Sequence, residues 1–141
     1  MADELTEREA YDELCGYTLT HGGREFIHQY VVDAWAAQHA TPEDKPISIT
    51  FALAGLYLHL EKKRTGREVQ LAHMQMAKKK RTWPAFALPS DRGDVTAIDV
   101  LRAPEGTERH EAIDRWCRSV WAAYAPTNRG TVVDLLAECG L

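Results

Sequence analysis

The chain has 141 residues, with 45% hydrophobic and 27% charged residues and a formal net charge of −4. That length supports one domain with a hydrophobic core, and the 9 glycines and 6 prolines are too few for a low-complexity or collagen-like chain. No apolar run approaches the roughly 20 residues needed to cross a bilayer, and the first residues are acidic where a signal region would be basic, so a soluble, cytoplasmic protein is expected.

Thr6 and Glu9 have the spacing of a capping box and predict a first helix running to about Leu19, broken by His21-Gly22-Gly23. A second helix is expected from about Arg24 to His39. Phe26, Ile27, Tyr30, Val31, Ala34 and Trp35 make it apolar around so much of its circumference that it should be central. Pro46 suits the first turn of a third helix carrying Ile49, Leu53, Leu56, Tyr57 and Leu60, with Thr65-Gly66 as its stop. A fourth helix is predicted from Arg67 to Arg81, ended by Trp83-Pro84. Between Trp83 and Asp94, Pro84, Pro89 and Gly93 indicate an irregular connection. Thr96 to Ala103 suits a short helix or a turn, and Thr107 can cap a longer helix that carries Trp116, Trp121 and Tyr124 and stops at Pro126. Thr127 to Cys139 would form a last helix, closed by Gly140. No segment alternates as a strand does. The expected fold is all-α: a single-domain bundle of four antiparallel N-terminal helices with one or two C-terminal helices.

Charge is unevenly spread. Residues 61–82 hold Lys62, Lys63, Arg64, Arg67, Lys78, Lys79, Lys80 and Arg81 against Glu61 and Glu68, so this window carries +6 and the remainder −10. A basic hairpin of this kind could meet an acidic partner. No nucleic-acid-binding motif accompanies it, and bases at a helix C-terminus also complement the macrodipole, so nucleic acid is disfavoured. An exposed apolar face on the last helices would favour a homodimer.

If successive helices are antiparallel, residues equidistant from each turn share a level. Cys15 and His28 are then paired about the first turn, His28 and His59 about the second, and His59 and His73 about Gly66. Cys, His, His and His suit zinc, and bundle cores hold metal sites built from facing helices. The same Cys15–His28 pair could activate a thiolate, giving a redox or nucleophilic protein. Each residue also has an ordinary place in a satisfied core. His28 and His39 are eleven residues apart, roughly 16 Å along a helix, and cannot share one metal. His39 would find partners near Glu43 or Asp44, Asp33 would pair with Gln29 four residues earlier, and His21 and His110 should be exposed. The three cysteines Cys15, Cys117 and Cys139 form no Cys-x-x-Cys pair and are expected to be reduced thiols. Trp116, Trp121 and Tyr124 suit a core or an apolar pocket.

The segment His28-Gln29-x-x-Val32-Asp33-Ala34-Trp35-x-x-Gln38-His39, with Cys15-Gly16 before it, resembles a family of small uncharacterised bacterial helical proteins with a His-Gln-x-x-Val-Asp-Ala-Tyr-x-x-Gln-His segment. Trp83-Pro84, Gly93, Thr96 to Val100 and Ser119-Val120-Trp121 look like later landmarks of that family. The resemblance implies a Cys-x-x-Cys-Gly near the N-terminus, suggestive of zinc. Here Asp12 stands at its first position, which leaves fewer thiolates for a metal. Three functions stay open: a non-catalytic ligand-binding or interaction module, a zinc-binding protein acting as a metal-assisted hydrolase or transferase, and a Cys15-based protein.

Overall fold

The computed structural model describes residues 5–79 and 81–141, so Lys80 of the basic window lies outside it. Six α-helices follow one another: α1 Glu7–His21, α2 His28–Gln38, α3 Pro46–Glu61, α4 Gly66–Ala77, α5 Ala97–Arg102 and α6 Thr107–Glu138. The described residues contain no strand, so the all-α expectation holds. Thr6, Thr65 and Thr96 each cap a helix reciprocally with the acid three residues on, satisfying N–H groups that would otherwise lack partners. Glu7 adds a long-range cap, its carboxylate accepting from the N–H groups of Ala97 and Ile98 at 3.0 and 3.2 Å.

The core lies between α2, α3 and α6. α2 packs against α1, α3, α4 and α6, whereas α1 lies chiefly on α2 and α5. Val31, Leu53, Leu56, Trp116, Val120 and Tyr124 are sealed from solvent. α2 and α3 approach closely because residue 55 is glycine: a Cβ there would come within 1.9 Å of Oδ2 of Asp33.

Several boundaries differ from expectation. α2 begins at His28 instead of Arg24, because residues Gly23–Glu25 form a 3₁₀ turn and Phe26 is left-handed at φ 56°. The guanidinium of Arg67 lies 4.4 Å over the Phe26 ring, holding that break in place. Thr65-Gly66 starts α4 instead of stopping α3; the stop is Lys62–Arg64, where Lys63 has φ 57° and the Arg64 N–H reaches back to the Leu58 carbonyl at 3.0 Å. Gly66 is required there, since its Cβ would meet the Phe26 carbonyl oxygen at 1.8 Å. α4 ends at Ala77, before the run of like charges.

Pro126 does not end the sixth helix, and the expected last helix is its continuation. Pro126 and Ala122 both face solvent. The Ala122 carbonyl deprived of its helical partner can therefore be hydrated, while Tyr124, Asn128, Val132 and Leu135 bury the opposite face across the interruption. Gly106, not Thr107, precedes the first turn.

The connection from α4 to α5 is irregular but fastened. Gln38 donates to the Val95 carbonyl at 2.8 Å and accepts from the Trp116 indole at 2.8 Å. Asn128 bonds both the N–H and the carbonyl of Ala87 at 2.9 Å, and the Ser119 hydroxyl accepts from Asp94 N–H at 2.9 Å.

Candidate functional site

The four residues expected at one level have separate partners. The His28 Nδ1 lies 3.0 Å from the Thr18 hydroxyl, level with Thr18 because the 3₁₀ turn displaces the centre of the first connection. Cys15 sits half-buried beside Tyr11, and burial pushes its thiol above the usual range, opposite to an activated thiolate. The His73 Nε2–H donates to the Phe51 carbonyl at 2.7 Å, and burial lowers the pKa of its imidazole. With the α3–α4 turn centred between Lys63 and Arg64 instead of at Gly66, the level of His73 moves up α3 away from His59. Among the described residues no group of three or more His, Cys, Asp or Glu side chains is placed to hold a metal ion.

The remaining marked residues serve the packing of the helices. Asp12 pairs with Arg8 at 3.2 Å on the exposed face of α1. His39 stacks on Trp35 at 3.7 Å, and Trp35 on Tyr11 at 4.4 Å; burial lowers the His39 pKa. Gln29 donates to Oδ1 of Asp33 at 3.1 Å, as expected. Asp33 itself is sealed between α2 and α3, where desolvation pushes its carboxyl well above the usual range. Its Oδ2 is, among the described residues, the only fully buried side-chain polar atom without a partner. Trp116 and Tyr124 are core residues, the Tyr124 hydroxyl donating to the Ala37 carbonyl at 2.6 Å.

One of the four, His59, does line a cavity. A cleft of about 150 Å³ opens between the start of α2, the last turn of α3 and the first turns of α6, walled by Ile27, Ile113 and the Tyr30 ring and carrying the polar groups of Glu25, His59, His110 and Asp114. The His59 Nε2–H donates to Oδ1 of Asp114 at 2.9 Å, and its ring stacks on Tyr30 with centroids 3.6 Å apart. Tyr30 is fixed in turn by a 2.8 Å hydrogen bond from its hydroxyl to the Arg64 carbonyl. The end of α3 is clamped to α6 by Glu61, which accepts from Arg129 at 2.7 Å and from the Trp121 indole at 2.9 Å. The guanidinium holds the Glu61 carboxyl below its usual range, so the clamp is ionic at neutral pH.

The carboxylate of Asp114 determines the chemistry available at His59. A carboxylate can only accept, so neutral His59 carries its proton on Nε2 and a lone pair on Nδ1. That Nδ1 has no hydrogen-bond partner among the described residues and is not sealed in the core. On the other side of the cleft His110 is held through Nε2, 3.2 Å from the Tyr17 hydroxyl, which also accepts from the Gly106 N–H at 3.0 Å. His110 was expected at the surface and Asp114 carried no expectation. Their four-residue spacing, which puts an imidazole and a carboxylate on one face of α6, was the available signal.

Residues 8–125 match the Family of unknown function (DUF5946). The chain belongs to that family. The DUF5946 segment contains all seven residues that line the cleft and stops one residue before Pro126. No curated protein and no solved structure matches the chain. Membership thus agrees with an uncharacterised family and leaves the reading of function to the geometry.

Proposed function

We propose that this DUF5946 chain is a ligand-binding helical module whose site is the cleft between α2, α3 and α6. The observation that supports it is His59, an imidazole in the lining of a small cavity, held through Nε2 by Asp114 and through its ring face by Tyr30, with Nδ1 left without a hydrogen-bond partner among the described residues. Preorganised polar groups on apolar walls are what a small-molecule site needs, because the cost of orienting them is met on folding. Titration with a set of small polar fragments, followed through the histidine ring resonances, tests the reading. Fragments should shift His59 and His110 together and lose affinity in His59→Gln; fragments that shift neither ring, or that bind the variant equally, would overturn it.

A further inference from the structure

Two imidazoles line one cleft, and each is held at Nε2 by a partner of different chemistry. Asp114 accepts from His59, which leaves His59 Nδ1 as a lone pair. At His110 the partner is a phenol whose oxygen already accepts from Gly106, and a phenol is a far stronger acid than a neutral imidazole N–H. With the Tyr17 O–H donating to His110 Nε2, the arrangement the stronger acid favours, neutral His110 carries its own proton on Nδ1. One ring offers a base and the other an N–H donor. Neither Nδ1 has a hydrogen-bond partner among the described residues, and neither is sealed in the core.

We infer that the cleft enolises a small uncharged carbonyl compound, with His59 as the base and His110 as the hydrogen-bond donor to the carbonyl oxygen. This rests on the cleft being a ligand site. In the step, His59 Nδ1 takes a proton from the carbon beside the carbonyl. The C–H electron pair becomes the C=C bond, the carbonyl π pair moves to oxygen, and the resulting enolate oxygen is held by the His110 Nδ1–H. Return of the proton, or of a deuteron from solvent, to that same carbon regenerates the carbonyl and completes the cycle, so no oxidant or second reactant is consumed. A neutral imidazole serves as electrophile to an enolate without itself ionising. Asp114 stabilises the imidazolium that His59 becomes. A cleft of about 150 Å³ suits a small substrate. Its isoleucine walls favour an uncharged one.

Hydroxyacetone, a small uncharged ketone, serves as the probe. In D₂O the protein should exchange its carbon-bound protons faster than free imidazole at equal concentration. His59→Gln and His110→Gln, each checked for wild-type circular dichroism and melting, should fall to that reference. Absence of exchange in the wild type, or its persistence in either variant, would overturn the proposal. Should a variant not fold, long-range ¹H–¹⁵N correlation on the wild type decides: His59 should be protonated at Nε2 and His110 at Nδ1, and a shared tautomer would refute the assignment. If hydroxyacetone shifts both rings without exchange, this inference fails while the ligand site stands; if the fragments also leave both rings unmoved, both fail.

Discussion

Asp33 is the residue whose burial makes the sharpest demand on conditions. Its folded-state pKa is raised, so the native chain holds a proton that the unfolded chain releases above about pH 3.9. The associated stability is present below that value and is lost as pH rises toward the folded pKa, at most about 1.4 kcal/mol per pH unit. Asp33→Asn should remove this decline, and the gap between variant and wild-type denaturation midpoints should widen from pH 5 to pH 8; parallel curves would refute the assignment. His73 acts in the opposite sense. Its folded-state pKa is lowered, so its contribution is present above about pH 6.5 and is lost as pH falls toward the folded value. Gly55→Ala would drive a methyl into the Asp33 carboxyl and should cost about 1–3 kcal/mol, with much of the loss recovered in the Asp33→Ala background. The Gln29–Asp33 pair was legible from its spacing of four. The missing partner of Oδ2 was not, because it depends on the approach of α3 across a glycine.

At the level of elements, capping residues and apolar spacing located every helix, while the connections decided the site. An antiparallel pairing argument doubles any error in the centre of a turn. The 3₁₀ turn before α2 and the early stop of α3 were therefore enough to part Cys15, His28, His59 and His73. Pro126 shows the opposite limit. Proline reliably removes a hydrogen bond, but whether the helix continues depends on which face carries the loss, and only packing against α3 reveals that. Pro126→Ala should restore the bond to Ala122 and raise stability by up to about 3 kcal/mol, read as a shift in thermal midpoint. Gln38→Leu would leave the Trp116 N–H and the Val95 carbonyl without their partner. A loss of about 2–3 kcal/mol and faster proteolysis within residues 81–95 are the expected outcomes.

For the whole molecule, the basic window divides into two. Lys62, Lys63, Arg64 and Arg67 lie at one end of α4 and Lys78, Lys79 and Arg81 at the other, separated by the roughly 18 Å length of a 12-residue helix. Arg81 is paired with Glu138 at 2.5 Å. An acidic partner would meet two patches with exposed Leu71 and Met74 between them. The scattering of the expected zinc ligands carries its own outcome: untagged protein should hold only substoichiometric zinc, unchanged in Cys15→Ala and His28→Ala. Zinc bound one to one and lost in either variant would reinstate the metal site.

The cleft itself is drawn from distant parts of the chain, with His59 and Asp114 separated by 55 positions. Unfolding dismantles it entirely, so a compound that fits can bind the native state alone. Such a compound must raise the melting temperature, by the equivalent of about 2.7 kcal/mol at a hundredfold excess over its dissociation constant. The protein thereby reports its own ligand. A thermal-shift survey of metabolite-sized compounds could find that ligand before any reaction is known.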